Sequence, residues 1–210
     1  MKILFFDTET NGLPHVRNAP IRLVENWPRV ISAAWQLCEV SVDKIDVIHR
    51  EYFIVKPEGG FEWNAESQKI HGISYERAEQ EGVPIQTIMA LLKEHGSQAS
   101  VVVSHNIAFD KPIVLAECVR LGLPIDWWPK IEYCTMDATK GICKLPSRSK
   151  YPSKSDPYKY PKLSELHTYL FGNLDGFEFH SASEDVRCLV KCFADLVFRR
   201  VVPLDLWLSA

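Results

Sequence analysis

The first nine residues constrain the fold more than any other stretch. Residues 1–6 are short in extent, mostly apolar and ended by polar residues, so they read as a buried strand. Asp7 and Glu9 follow at once. On extended backbone, residues two apart point to the same face. Both carboxylates therefore project together from the end of a buried strand, and two adjacent carboxylates repel unless a cation lies between them. The plain alternative is a solvated strand end that enters an Asn11-Gly12 turn. Chance alone supplies about one Asp-x-Glu in a chain of this size and ordinary charge content, so the pair needs company before it means anything.

The remaining pattern predicts an α/β chain. Residues 29–40, with Val30, Ile31, Ala33, Trp35 and Leu37, make a second strand. Residues 52–55 make a third, closed by the turn cluster Lys56-Pro57-Glu58-Gly59-Gly60. Residues 61–82 read as irregular, with a short helix near 64–70. Ile85, Ile88, Met89 and Leu92 recur at helical spacing and predict a helix over 84–95, stopped by Gly96. Residues 101–104 form a short β-branched strand, expected to be central. A helix over 110–121 carries Pro112 near its first turn, where proline is tolerated. A strand over 131–136 and helices over 163–171 and 185–199 complete the reading. Three leading strands, then helices alternating with single strands, imply a mixed sheet with helices packed on it.

Composition bounds the function classes. With 210 residues, 46% hydrophobic and 24% charged, the chain is expected to form one domain over 1–210 with a packed core. No apolar run approaches the roughly 20 residues needed to span a bilayer, and the N-terminal run is too short for a signal-peptide core. The six cysteines form no C-x-x-C pair and several sit in apolar stretches. They read as reduced thiols, which places the chain in a cytoplasm-like compartment with no membrane partner. The net charge of −3 disfavours a protein that coats nucleic acid through basic surface alone. Without four candidate metal ligands, the 27 acidic residues fall to 23 against 24 Lys and Arg, so the rest of the chain is nearly balanced. The one biased segment is 146–162, where Arg148, Lys150, Lys154, Lys159 and Lys162 face Asp156 alone. It reads as a flexible basic loop.

Two further motifs join the first. Ser104-His105-Asn106-Ile107-Ala108-Phe109-Asp110 runs from strand through a polar turn into a helix. Asp110 there is either a helix N-cap or a carboxylate delivered to the sheet edge. His180-Ser181-Ala182-Ser183-Glu184-Asp185 enters the last helix. Ser181-x-x-Glu184 matches a capping box and Asp185 suits the helix dipole. The same placement sets His180 on a loop, able to meet a water, with Asp185 fixed inside the helix.

In order and context the three motifs resemble the DEDDh 3′–5′ exonucleases of the RNase H-like superfamily, which include the epsilon proofreading subunit of bacterial replicative polymerase, RNase T and oligoribonuclease. The matching stretches are Asp7-Thr8-Glu9-Thr10-Asn11-Gly12-Leu13, His105 to Asp110, and His180-x-Ala182-x-x-Asp185, with Ile70-His71-Gly72-Ile73 similar to a segment before the second motif. The resemblance spans residues 1 to about 200. A longer stretch over 14–29 and the basic insertion over 146–162 depart from it.

The resemblance implies an RNase H-like five-stranded mixed sheet flanked by helices. It also implies hydrolysis from the 3′ end of a nucleic acid, single-stranded DNA favoured, with release of 5′-mononucleotides. Asp7, Glu9, Asp110 and Asp185 would hold two Mg²⁺ ions, replaceable by Mn²⁺, as suits hard oxygen ligands. Asp7 would bridge both ions, Glu9 and Asp185 would complete the nucleophile side, and Asp110 would serve the leaving group. His180 would be the general base. Leu13 would wedge between terminal bases, His71 and Phe109 would line the nucleotide pocket, and Thr10, Gly12 and Asn106 would touch substrate. Homodimers occur among relatives such as RNase T, and proofreading would need a separate polymerase partner. The competing readings are an exoribonuclease that trims RNA, a catalytically silent DEDD binding module, and a small nucleic-acid-binding domain.

Overall fold

A computed structural model describes residues 1–59, 62–147, 157–173, 176–177, 179–204 and 207. The element order is β1 (Lys2–Thr10), β2 (Val30–Val40), β3 (Ile45–Ile54), α1 (Ala65–His71), α2 (Tyr75–Glu81), α3 (Ile85–Gly96), β4 (Val101–Ser104), α4 (Ile107–Arg120), β5 (Ile131–Cys134), α5 (Thr135–Cys143), α6 (Leu163–Phe171) and α7 (Ala182–Phe198). The sheet runs β3-β2-β1-β4-β5. β2 pairs antiparallel with both β1 and β3, whereas β4 lies parallel to both β1 and β5. This is the five-stranded mixed sheet flanked by helices that the sequence leads one to expect.

Alternation along β1 sorts the core into two layers. Ile3 and Phe5 face α6 and α7, joined by Leu166, Val186, Leu189 and Phe193. Leu4 and Phe6 face α3 and α4, joined by Trp35, Ile88, Met89 and Ile113. Residues 3–6 are at most 1% exposed, as a strand covered on both faces requires. Among the described residues no helix is long and apolar enough to cross a membrane, and all six cysteines are free thiols.

Several boundaries differ from the sequence expectation, each for a physical reason. β1 does not end at Phe6. Its pairing with β2 continues through Asp7, Thr8 and Glu9 to Thr10, so both carboxylates stand on strand backbone. β3 begins at Ile45, seven residues before the expected strand; it is an edge strand, largely solvated, with the charges edges carry. The region read as irregular holds α1 and α2. Asn64 accepts from the Glu66 and Ser67 amides, Gly72 closes α1 in the left-handed region at φ 70°, and Ser74 caps α2. α4 starts at Ile107, so Pro112 lies in the second turn rather than near the first and costs one helical hydrogen bond. The strand expected over 131–136 stops at Cys134 and gives way to α5.

The long connection after β1 is fastened to α4. Buried Glu117 accepts from Arg29 Nε at 2.8 Å and from the Val30 amide at 3.2 Å. Arg120 Nη2 donates to the Val24 and Trp27 carbonyls at 2.5 and 2.6 Å. The basic segment is pinched at its base: the Ser147 amide donates to Pro157 O at 3.0 Å and the Lys159 amide to Leu145 O at 2.9 Å. Arg148, Lys150 and Lys154 lie outside the described residues. Lys159 forms an ion pair with Glu165, and Lys162 precedes α6 as its N-cap.

Candidate active site

The chain turns from one half of the sheet to the other between β1 and β4, both parallel and both ending on the same side. In open α/β sheets a crevice forms outside the carboxyl ends of strands at such a reversal. β4 ends at Ser104, but β1 continues to Thr10. The extra residues of β1 therefore meet the first turn of α4 on one layer and the start of α7 on the other.

Side-chain parity then gathers three carboxylates and sets a fourth, Asp110, against Thr8 on the opposite face. Asp7 and Glu9 continue the Ile3–Phe5 face toward α7, and Asp185 lies in the first turn of that helix. Ligand oxygens of Asp7, Glu9 and Asp185 all lie within 4.8 Å of one another. Thr8 continues the opposite face toward α4. Its amide and its hydroxyl both donate to Asp110 Oδ1, at 3.2 and 2.7 Å, and Ser104 Oγ donates to Oδ2 at 3.3 Å. Asp110 is only 3% exposed. Its helix begins three residues earlier, so it is not the N-cap. That position belongs to Asn106, in the left-handed region at φ 79° with no side-chain cap bond.

The electrostatics are those of an uncompensated acidic cluster. Burial lifts the Asp7 carboxyl well above the usual range, and Asp110, Asp185 and Glu9 push it further. Burial, then Asp185 and Asp110, push Glu9 up to about 7. Burial also raises Asp110 and Asp185; the Thr8 and Ser104 hydrogen bonds oppose the rise at Asp110, and the His180 amide opposes it at Asp185. The strongest charges acting on Asp7 are all carboxylates. Hard oxygen donors at this spacing, repelling one another, fit a divalent cation such as Mg²⁺ or Mn²⁺.

His180 is exposed, with its backbone in the left-handed region at φ 71°, and its amide donates to Asp185 Oδ2 at 3.1 Å. The capping box suggested by Ser181 and Glu184 is absent. Ser181 makes no side-chain cap bond, and Glu184 pairs with Arg187 at 2.8 Å. Asp185 instead reaches back to the loop and ties His180 to the helix start.

Around the rim, Leu13 is 78% exposed. Thr10 Oγ1 donates to Gly12 O at 2.8 Å, which commits the hydroxyl to its own turn. A Cβ built on Gly12 would meet nothing within 4 Å. His71 is buried; its Nδ1 accepts from the Ile73 amide at 3.1 Å, so its neutral form carries the proton on Nε2. Phe109 packs against the α3–α4 core layer.

Residue-type reasoning gave no role to Thr8 or Ser104, placed Asn11 only in a turn, and left His105 with loop backbone. Asn11 exchanges hydrogen bonds with Arg29 and donates to Glu62 O at 3.0 Å, joining the exit of β1 to the segment before α1. His105 Nε2 donates to Pro161 O at 2.9 Å, and Nδ1 lies 2.9 Å from the Thr135 hydroxyl. A carbonyl only accepts, so Nε2 carries a proton; burial pushes the pKa down to about 4, which leaves the ring neutral near pH 7.

No family model matches the sequence, and no curated protein matches it either. Solved structures do match its fold. Escherichia coli Exonuclease I in complex with a dT13 oligonucleotide superposes with a TM-score of 0.73 at 19% identity, covering 99% of this chain and 43% of that one. A zinc-ion-bound form of the E. coli ExoI–ssDNA complex gives 0.70 at 18%, covering 99% and 43%. Exonuclease I from Methylocaldum szegediense gives 0.71 at 18%, covering 94% and 40%. The chain thus spans well under half the length of these proteins and shares the fold of the part it matches.

Proposed function

We propose that this chain is a divalent-metal-dependent exonuclease. It hydrolyses phosphodiester bonds from the 3′ end of a nucleic acid, single-stranded DNA foremost, and releases 5′-mononucleotides. The observation that carries this reading is the meeting of Asp7, Glu9 and Asp185 within 4.8 Å at the end of β1, with Asp110 held behind them on α4. The shared fold with Exonuclease I structures, some of them complexes with single-stranded DNA, supports the substrate class.

Asp7, Glu9 and Asp185 would hold one cation, and Asp7 with Asp110 a second. Bound there, the cations supply an activated water and neutralise charge on the leaving oxygen. The His180 imidazole takes the proton from the attacking water, its backbone anchored by the hydrogen bond that the His180 amide donates to Asp185. Attack expels the 3′-oxygen of the penultimate nucleotide, so the phosphate stays on the released terminal residue. Leu13, His71 and Phe109 form the walls against that residue, with Asn106 and the Thr10–Gly12 turn beside its backbone.

The test is digestion of 5′-labelled single-stranded DNA, duplex DNA and RNA, side by side, in Mg²⁺ and in EDTA. A descending ladder in Mg²⁺ and none in EDTA is expected, fastest on single-stranded DNA. A faster ladder on RNA would reassign the substrate to RNA. Cutting of a circular single strand, or an unchanged rate in EDTA, would overturn the reading.

A further inference from the structure

β4 stops at Ser104 beside a β1 that runs on to Thr10, so the Thr8 amide on that side has no strand to pair with. The Asp110 carboxylate takes its place. Oδ1 receives both the amide and the hydroxyl of Thr8, and Oδ2 receives the hydroxyl of Ser104. Thr8, Ser104 and Asp110 are 6%, 0% and 3% exposed, so these bonds form away from bulk water. Thr8 lies between Asp7 and Glu9 and points to the other layer. One three-residue stretch thus displays two carboxylates on one face and grips a third carboxylate from the other. The Asp110 oxygens, each already engaged, have little freedom to swing.

We infer that Thr8 is a positioning residue that sets the distance and orientation of the Asp110 carboxylate relative to Asp7, and so the affinity of the second cation, with Ser104 in a lesser role. The inference rests on the metal-dependent reading proposed above. The physical basis is that partners hydrogen-bonded to a ligand orient it, and their loss commonly costs 10–100-fold in metal affinity. The Thr8 hydroxyl bond, at 2.7 Å, is the shortest of the three, so its removal frees Oδ1 most.

The test is Mn²⁺ binding to the whole chain, followed by electron paramagnetic resonance and calorimetry, which needs no turnover. The wild-type chain is expected to bind two ions of unequal affinity. Thr8→Val should weaken the weaker ion about 10-fold or more and leave the tighter one unchanged. Thr8→Ser, which keeps the hydroxyl, should bind as wild type. In an Asp110→Ala background, Thr8→Val should have no further effect, because the bond it removes is already gone. Equal loss at both ions, no loss in Thr8→Val, an equal defect in Thr8→Ser, or an undiminished effect without Asp110 would overturn the inference. A wild-type chain that binds no Mn²⁺, indistinguishable from Asp7→Asn, would overturn the metal-dependent reading and the inference with it. Two bound ions with Thr8→Val unchanged would overturn the inference alone.

Discussion

Among the described residues, two regions gather metal-ligating side chains at the same close spacing, and they are not alike. Asp7, Glu9 and Asp185 form one group; His49 and Glu51 on the edge strand β3, with His95 at the end of α3, form the other. In the first, the oxygens face one another and charge accumulates. In the second, the Trp35 indole donates to His95 Nδ1 at 2.9 Å. An indole only donates, so Nδ1 is an acceptor and the neutral ring carries its proton on Nε2. A histidine that binds metal normally donates through its other nitrogen. The His49 and His95 rings also stack, with centroids 4.1 Å apart and planes within 10°, so no one position lies in the plane of both. Proximity of donor atoms is therefore not enough; lone pairs must be free and convergent, as they are at the end of β1 alone of these two.

The largest effect that could break this contrast is loss of activity on Asp7→Asn. That variant keeps the shape but removes the charge shared by the cluster, and turnover in Mg²⁺ should vanish in the digestion assay. It should also bind no Zn²⁺. A Zn²⁺ ion retained by Asp7→Asn and lost on His95→Ala would show that the imidazole stack is a metal site after all. Next, His180→Ala should slow single-turnover cleavage by roughly 10²–10⁴-fold while oligonucleotide binding, measured by anisotropy, persists.

The two regions should also answer pH with opposite sign. Glu9 is raised from an ordinary 4.5 to about 7, so the folded metal-free chain holds protons that the unfolded chain has released. Its stability contribution falls as pH rises through that window. His95 is lowered below 6.5 by burial and then by His49. The folded state there resists a proton that the unfolded chain accepts, so stability is lost as pH falls below 6.5. Melting of the metal-free chain against pH, repeated on Glu9→Gln and in Mg²⁺, separates the two. The loss toward pH 7 should shrink in both, and the loss on the acid side should stay. A loss toward pH 7 that persists in Glu9→Gln would remove Glu9 as its cause.

Smaller effects sharpen the same comparison. Trp35→Phe leaves His95 Nδ1 without its donor and should cost about 1–3 kcal/mol in denaturant unfolding. Gly12→Ala should change stability by less than about 0.5 kcal/mol, because its Cβ enters open space. Any fall in its activity then reports substrate approaching that turn.

What the sequence revealed follows the same physics. Stretches of strand covered on both faces, residues 3–6 of β1 and 101–103 of β4, announce themselves by unbroken apolar character. The first half of β3 does not, because solvent takes most of its side chains and erases the alternation. α5 hides behind Thr and Gly of low helix propensity; it forms because Cys134 caps it and Thr135 and Thr139 are buried against the core. The carboxylates were legible because strand parity and helix starts fix where they point. Thr8 was not, because between two acids it reads as a spacer, and only the early end of β4 supplies its partner. The Glu117 network was equally silent, since its members are far apart in sequence.

The pinched base of the basic segment has a consequence for how the molecule can change. The backbone bonds at Ser147 and Lys159 bring the two ends of the segment together, and His105 holds the Pro161 carbonyl to the turn before α4. Residues 145–147 and 157–159 are thereby joined directly to each other. Each doubling of the length of chain closed between ends joined in this way costs only about 0.6 kcal/mol in closure entropy. Variation there can accumulate, or be grafted in, with little strain reaching the carboxylates. This is a position where a lineage could change length and charge while the carboxylates at the end of β1 stay as they are.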